Sequence, residues 1–289
     1  MGLPAYNEEK NIARVILDLQ KITNTIIVCN DGSTDETPKI AEKMGAIVVN
    51  HSKNLGYGSA IRSIFLKAKE LNSDILVTFD ADGQHRVEDI QRMVEPIKKD
   101  VADIVIGSRF LTETDGVPNY RKFGIKTITK ITNAATKNKI TDSQSGFRAY
   151  SRKAIQELSL SDSGMGISTE ILIKADKSGF RISEVPIKIL YDGDTSTHNP
   201  VGHGLSVILS TMKYISIERP LKFYGIPGLA FLGVGLFFIV WTLQEFSESR
   251  RIFTNIALIG VGSTVFGIMM LMSAIMLFSI VSVVRENKI

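Results

Sequence analysis

Residues Leu76 to His85 read LVTFDADGQH, an apolar run that ends abruptly in two carboxylates one residue apart. Because side chains alternate in direction along a strand, Asp80 and Asp82 would point the same way just beyond the end of this strand. Aspartate oxygens are hard ligands, and Mg²⁺ or Mn²⁺ commonly takes one or two protein carboxylates together with phosphate oxygens. The stretch predicts either a cation site for a phosphate-bearing ligand or an ordinary polar turn after a strand.

The chain on either side of this stretch alternates short apolar runs with helical patterns. Strands are predicted at 25–29, 46–50, 74–79 and 103–106, with helices at 35–44 and 54–71 between them. An earlier helix has its apolar side chains at helical spacing, namely Ile12, Val15, Ile16 and Leu19. This order predicts an α/β fold with a mostly parallel sheet, covered on both faces, and a ligand site at the carboxyl ends of the strands.

The first turn reads PAYNEE and contains no G-x-G-x-x-G, which argues against a dinucleotide-binding oxidoreductase. Only three residues precede Pro4, so we expect either that the start is misassigned or truncated or that the first strand is cut short. Asn7 is a natural amino cap for the helix that follows. Cys29 is the only cysteine, which excludes an intramolecular disulfide and a cysteine metal cage.

The second part of the chain is less regular. A basic helix is predicted at 120–138, a loop, a short strand and a helix within 141–155, a helix at 167–178 and a strand at 181–190. A long polar loop follows, and 205–217 is predicted as a helix with Leu205, Ile208, Met212 and Ile215 on one face. Such a helix either lies at a membrane surface or packs on the sheet.

The carboxyl-terminal region contains two long stretches without charged residues, 225–243 and 252–284, joined by the polar hairpin QEFSESRR. About 20 apolar residues suffice to cross a bilayer, so two membrane helices are predicted that enter and return on the same side. The small residues Gly260, Ser263, Thr264 and Gly267 permit close helix contacts within the chain or between copies, which leaves a homo-oligomer open. The net charge of +4 favours an anionic membrane surface modestly.

Four motifs occur in order along the chain: P-A-Y-N-E, N-D-G-S-T-D-E-T, D-A-D-G-Q-H and S-G-F-R-A-Y. Together they resemble family 2 glycosyltransferases, and more narrowly the polyprenyl-phosphate sugar synthases, a group that contains dolichol-phosphate mannose synthase and the dolichyl-phosphate glucosyltransferases. The resemblance covers about residues 3–220. It implies a GT-A type nucleotide-sugar-binding domain at 1–200, an interfacial helix and linker at 201–222, and a transmembrane hairpin at 223–289.

The resemblance also implies roles for individual residues. The first-loop residues would lie against the base and ribose of the nucleotide; they are Pro4, Tyr6, Asn7 and Glu8. Asp31 would contact the base, and the residue before it, Asp in many relatives, is Asn30 here. Asp80, Asp82 and Gln84 match the cluster that binds the diphosphate and a Mg²⁺ or Mn²⁺ ion. Arginines would hold the acceptor phosphate, and these are Arg109, Arg121 and Arg148. Asp82, Arg109 and Arg121 would be the catalytic residues.

The chemistry implied by the resemblance is attack by a lipid phosphate oxygen on the anomeric carbon of a GDP- or UDP-hexose, with inversion. A phosphate monoester has a second pKa of about 6, so the attacking oxygen is already largely ionised and needs no strong base. It does require neutralisation of the phosphate charges by a cation and by arginines. Because nucleotide sugars are made mostly in the cytosol, we expect an integral protein of the cell membrane with a cytoplasmic catalytic domain, and no nucleic-acid partner.

Other readings remain open. A processive polysaccharide synthase would carry Q-x-x-R-W, but the one tryptophan, Trp241, lies in an apolar run. A glycosyltransferase of the same fold could use a UDP-sugar and another membrane-bound acceptor, or the chain could be an inactive membrane scaffold. The roles of Glu170, His198 and His203 are left open as well. Glu170 is either a site residue or a helix-surface or capping acid, and each histidine either contacts the acceptor or caps a turn.

Overall fold

The computed structural model describes residues 1–111, 119–188, 212, 215–217 and 219–286, and it describes the side chains of all of these except 119–121 and 284–286. Contacts divide the chain into two units, Met1–Thr211 and Met212–Ile289. The predicted interfacial helix and the loop with His198 and His203 fall largely outside the described residues. The predicted boundaries at 200 and 222 therefore stay predictions.

The first unit is built on a seven-stranded sheet with the order β3-β2-β1-β4-β6-β5-β7. Its strands are β1 (Gly2–Ala5), β2 (Ile27–Asn30), β3 (Ile47–Asn50), β4 (Ile75–Thr78), β5 (Ile104–Ser108), β6 (Arg148–Ser151) and β7 (Ile182–Pro186). All neighbouring strands are parallel except β6, which runs antiparallel to both β4 and β5. The predicted mostly parallel sheet is confirmed.

Helices cover both faces of this sheet. They are α1 (Ile12–Gln20), α2 (Thr37–Lys43), α3 (Tyr57–Glu70), α4 (Ile90–Lys98), α5 (Asn119–Ala135), α6 (Arg152–Glu157) and α7 (Ile167–Lys177). Helix α4 has no counterpart among the predicted elements. Its spacing of Ile90, Met93, Val94 and Ile97 is helical, so the signal was present in the sequence.

The two faces of the sheet have separate cores because neighbouring strand residues point in opposite directions. On β4, Val77 packs into the cluster that contains the α1 residues Ile12 and Ile16, whereas Leu76 packs with Ile64 of α3. Each such buried aliphatic side chain stabilises the fold by about 1.5–3 kcal/mol. Packing on both sides fixes the direction of β4, and with it the position of the acidic residues that follow.

At the amino-terminal end, the structure refines the prediction for the first strand and contradicts the prediction for Asn7. Strand β1 is short, as predicted, yet it pairs with β2 along its whole length, from Gly2↔Ile27 to Ala5↔Asn30. Its ladder with β4 is confined to Gly2↔Thr78, before Pro4, which has no N–H to donate. The prediction that Asn7 caps α1 is wrong: the helix begins at Ile12, and Asn7 has a positive φ of 56°.

The second unit contains two long apolar helices, Ile226–Ser249 and Thr254–Glu286, and a π-helical turn at Leu221–Gly225 precedes the first of them. Two stretches, Leu221–Ser249 and Thr254–Val283, are long and apolar enough to cross a membrane, and most of their side chains are exposed. The helices approach closely at glycines. The predicted close contacts are confirmed within the chain for Gly260 and Gly267.

Replacing Gly235 by valine is expected to loosen this helical pair. A Cβ at Gly235 would overlap Thr264 Oγ1 and lie 2.7 Å from Thr264 N, so the helices must separate. The midpoint of thermal unfolding in detergent should fall, in line with an overpacking cost of about 1–3 kcal/mol. Gly233→Val is the matched control, since a Cβ there meets no described atom within 4 Å. Equal midpoints for the two variants would contradict the packing argument.

Candidate active site

The carboxylates of Asp80 and Asp82 lie together after β4, both partly exposed. Asp80 Oδ2 is 3.1 Å from His85 Nε2, and the Tyr57 hydroxyl donates to Asp80 Oδ1 over 3.5 Å. Asp82 Oδ1 accepts a hydrogen bond of 3.0 Å from the backbone N–H of Gln84. The predicted acidic pair thus lies at the carboxyl edge of the sheet.

The carboxylates at this edge of the sheet give it an excess of negative charge. Burial and the neighbouring charge of Asp80 raise the pKa of Asp82 to about 6. Burial also acts to raise the pKa of Asp80, but the hydrogen bond from His85 and the charge of Arg109 outweigh it and lower that pKa. Burial raises the pKa of Glu8, which faces the same region. A bound cation would offset this charge.

The donor set fits a hard divalent cation in part. Within the described residues no group of three or more His, Cys, Asp or Glu side chains is arranged to hold a metal ion. The protein would therefore supply the carboxylates of Asp80 and Asp82, with Gln84 next to them in the chain. Phosphate oxygens and water would complete the shell, as is usual for Mg²⁺.

Arg109 lies close to this pair but is held by a partner that the sequence analysis missed. Its Nε and Nη2 atoms donate to Asp142 Oδ2 and Oδ1 over 2.6 and 2.8 Å, and Asp142 is fully buried. Glu184 in turn accepts hydrogen bonds from the backbone N–H groups of Thr141 and Asp142. The bidentate geometry orients the guanidinium, whose charge reaches Asp80.

The other two predicted arginines differ in position. Arg121 lies on α5, and its side chain is outside the described part of the structure. Arg148 is only 2% exposed, and its guanidinium donates to the backbone carbonyls of Ser143, Ser145 and Ser168. Arg148 is therefore a buried structural cation, and its predicted contact with a phosphate stays a prediction that this packing does not favour.

The first loop is tied to the loop after β2. Asn7 Oδ1 accepts from the backbone N–H of Thr34, and the Asn7 N–H donates to Ser33 Oγ. The Glu8 N–H donates to Thr37 Oγ1 over 2.8 Å, while Tyr6 is 38% exposed. Hydrogen bonds thus join the motifs P-A-Y-N-E and N-D-G-S-T-D-E-T into one polar surface. Pro4 lies within β1.

Comparison with known proteins identifies the family. Residues 2–159 match the model for glycosyl transferase family 2. The chain belongs to glycosyltransferase family 2. It is 38% identical to the UDP-N-acetylglucosamine--dolichyl-phosphate N-acetylglucosaminyltransferase of Methanococcus voltae, over 65% of this chain and 84% of the relative. It is 30% identical to a dolichyl-phosphate hexose transferase of Haloferax volcanii, over 74% of this chain and 92% of the relative.

A solved structure shares the fold of this family 2 glycosyltransferase. Glucosyl-3-phosphoglycerate synthase from Mycobacterium tuberculosis, in complex with Mn²⁺ and UDP-glucose, superposes with a TM-score of 0.58 at 22% identity, covering 74% of this chain and 76% of that one. The predicted GT-A type fold is confirmed. At this identity the likeness concerns the fold alone.

In this glycosyltransferase, Asp31 has a structural role besides its predicted contact with the base. Its Oδ1 accepts from the Leu55 N–H at 2.9 Å and lies 2.7 Å from His51 Nδ1, while its Oδ2 accepts from the Gly56 N–H. His51 Nε2 also lies 2.8 Å from Ser63 Oγ. The carboxylate therefore holds the loop between β3 and α3.

The neighbouring Asn30 is also accounted for. Its Nδ2 donates to Asn50 Oδ1 over 2.8 Å, and its Oδ1 accepts from the Ser33 N–H. Both its donor and its acceptor are therefore used inside the protein. An amide suits this position because a carboxylate offers no hydrogen to donate to Asn50.

Replacing Asp31 by asparagine is expected to destabilise the glycosyltransferase by about 1.5–3 kcal/mol, the range for hydrogen bonds to a charged group. The amide retains one acceptor oxygen but turns its NH₂ group towards N–H donors. Chemical unfolding in detergent measures the change. Asp18→Asn is the control: Asp18 is partly exposed and pairs with Lys21 on the surface, so a shift of less than about 1 kcal/mol is expected. Equal stabilities of the two variants would contradict the structural role.

Glu170, whose role the sequence left open, is not a helix-surface acid: it is fully buried in α7, and the start of α7 has no side-chain cap. Its two carboxylate oxygens accept from the backbone N–H groups of Ser161 and Asp162 over 2.9 and 2.7 Å, and Lys174 pairs with it. The loop that it holds packs directly on Gly58, where a Cβ would lie 2.5 Å from the Asp162 carbonyl oxygen. These bonds engage both carboxylate oxygens in holding the loop.

Proposed function

We propose that this glycosyltransferase moves a hexose from a nucleotide sugar to polyprenyl (dolichyl) phosphate, with inversion, at the cytoplasmic face of the cell membrane. The observation that supports the proposal most is the pair Asp80 and Asp82 at the carboxyl edge of the sheet, with the oriented Arg109 close by. Relatives named for transfer to dolichyl phosphate support the acceptor.

The donor would lie across the loops after β1, β2 and β4. The joined surface of Tyr6 and Asn7 would bind the nucleoside, and Asp80, Asp82 and Gln84 would hold the diphosphate through a Mg²⁺ or Mn²⁺ ion. Such an ion, when bound, supplies Lewis-acid stabilisation of the departing diphosphate. The raised pKa of Asp82 supports this role, because two close carboxylates are most stable when a cation lies between them.

The acceptor would be oriented by Arg109 and Arg121. One bond forms between the lipid phosphate oxygen and the anomeric carbon, and the bond from that carbon to the diphosphate breaks, releasing the nucleoside diphosphate. The attacking oxygen is largely ionised at neutral pH because the second pKa of a phosphate monoester is about 6. A general base is then unnecessary, which agrees with the structural use of both Glu170 oxygens.

The two apolar helices support a membrane-bound acceptor. An isoprenoid tail keeps its phosphate at the bilayer surface, so the enzyme that uses it must work there. Helices long and apolar enough to cross a bilayer would hold the catalytic unit at that surface. Supply of nucleotide sugars from the cytosol favours the cytoplasmic face.

The proposal is tested by reconstituting the full chain in liposomes with dolichyl phosphate and a panel of labelled UDP- and GDP-sugars. Labelled sugar should enter the organic phase with one donor, and EDTA should prevent this until Mn²⁺ or Mg²⁺ is restored. Dolichol without its phosphate is the matched acceptor control and should remain unlabelled. No lipid-linked sugar from any donor, with folded protein, would refute the proposal.

A further inference from the structure

We propose that His85 is a positioning residue that fixes the carboxylate of Asp80 through its Nε2–H so that this carboxylate can bind a divalent cation. The inference rests on the proposed function, which makes Asp80 a ligand of that cation. His85 directly follows Gln84, the last of the three predicted diphosphate-binding residues.

The ring of His85 is held in place by aromatic packing. Its side chain is 5% exposed, and its centroid lies 5.5 Å from that of Phe79 and 5.1 Å from that of Phe147. Phe79 directly precedes Asp80, and Phe147 directly precedes β6, which pairs with β4. The two phenyl rings therefore restrict the imidazole and direct its Nε2 to Asp80 Oδ2, 3.1 Å away.

The hydrogen bonding of the ring fixes its tautomer. Nε2 faces a carboxylate oxygen and must carry a hydrogen, so in the neutral ring Nδ1 has only a lone pair. Nδ1 is buried and has no hydrogen-bond partner among the described residues. A buried acceptor left without a partner is unfavourable, and an apolar side chain would avoid this cost. The hydrogen bond to Asp80 is thus what a histidine provides here and an apolar side chain would not.

The backbone of Gly146 and the side chain of Tyr57 bound the same carboxylate. A Cβ at Gly146 would lie 2.8 and 2.9 Å from the two Asp80 oxygens and 2.7 Å from the Tyr57 hydroxyl. The Gly146 carbonyl accepts a 2.7 Å hydrogen bond from Thr78 Oγ1, which ties this segment to β4. With His85 at Oδ2, the carboxylate of Asp80 is held in one orientation before any ligand binds. Such support of a ligand commonly contributes a 10–100-fold gain in metal affinity.

Three variants of the full chain test the inference. His85→Leu removes the donor and the unpaired acceptor, His85→Gln places an amide N–H near the position of Nε2, and His85→Asn carries an amide too short to reach Asp80. Mn²⁺ binding is measured from the loss of the aqueous Mn²⁺ electron paramagnetic resonance signal, without nucleotide. We expect His85→Leu and His85→Asn to raise the Kd for Mn²⁺ by about 10–100-fold and His85→Gln to stay near the wild-type value.

A second measurement separates positioning from a purely structural role. In EDTA, the thermal midpoint of His85→Leu should equal or exceed that of the wild type, because the unpaired Nδ1 is gone. Wild-type affinity in His85→Leu would overturn the inference. Equal losses of Mn²⁺ affinity in His85→Gln and His85→Leu would also overturn it. So would a loss of Mn²⁺ affinity in His85→Leu that comes with a lowered thermal midpoint, because destabilisation of the fold would then account for the loss.

The outcome is distinguishable from that of the proposed function. If the variants change Mn²⁺ affinity as expected while no donor yields a lipid-linked sugar, the proposed function fails and the positioning role stands. If lipid-linked sugar forms but His85→Leu binds Mn²⁺ like the wild type, the positioning role fails alone.

Discussion

Replacing Asp82 by asparagine is expected to lower kcat/KM for sugar transfer by about 10²–10³-fold without loss of stability. The amide has the shape of the carboxylate and can still accept from the Gln84 N–H, but it lacks the charge that would hold a cation. Stability is retained because burial and Asp80 already disfavour the ionised form of Asp82, as its raised pKa of about 6 shows. Initial rates with labelled donor and thermal midpoints in EDTA measure the two effects.

Asp74→Asn is the matched control for this prediction. Asp74 lies at the other end of the same strand, its side chain is 86% exposed, and it pairs with Arg152 at the surface. The change in charge is the same, so a general electrostatic effect would slow both variants equally. Transfer at the wild-type rate by Asp82→Asn would refute the role assigned to this residue.

Replacing Asp142 by alanine is expected to destabilise the protein by about 3–5 kcal/mol, the range for breaking a buried ion pair from one side. Asp142 is fully buried, and Arg109 would lose two side-chain hydrogen bonds and one backbone hydrogen bond. Transfer should fall as well, since the guanidinium would no longer be oriented. Chemical unfolding in detergent gives the change in free energy.

Two further variants separate stability from function at this pair. Glu95→Ala breaks the exposed pair with Lys99 and should cost less than about 1 kcal/mol. The double variant Arg109→Met with Asp142→Leu replaces the buried charges by apolar groups and should recover much of the stability, but not the transfer. Transfer restored by the double variant would show that Arg109 has no part in the reaction, and an unchanged stability of Asp142→Ala would refute the ion-pair argument.

Much of the fold could be predicted because its signals are local. The apolar side chains of α1, from Ile12 to Leu19, recur at the helical period, and these residues are buried in the structure. The apolar runs at 225–243 and 252–284 likewise predict their helices by length alone. The antiparallel strand β6 could not be placed this way, because its pairing with β4 joins residues about 70 positions apart, as in Thr78↔Arg148.

The candidate site was predictable in part for the same reason. Asp80 and Asp82 are two positions apart in the turn directly after β4, so their proximity follows from the sequence. The partner of Arg109 could not be read from the sequence, because Asp142 is brought to it only when β5 and the segment before β6 meet in the sheet. The buried Arg148 likewise donates not only to the nearby carbonyls of Ser143 and Ser145 but also to that of Ser168 on α7, a contact that folding alone provides.

The sequence by itself determined the alternation of strands and helices, the acidic pair after β4 and the two apolar helices, since each depends on periodicity or length within a short window. Only the tertiary structure decided which of the predicted polar residues are open to a ligand. Asp31 and Arg148 have the residue types of a binding site, yet hydrogen bonds within the protein engage both. Asp80 accepts a hydrogen bond from His85 and remains partly exposed. Burial and hydrogen-bond partners are set by contacts between distant segments, and these form only on folding.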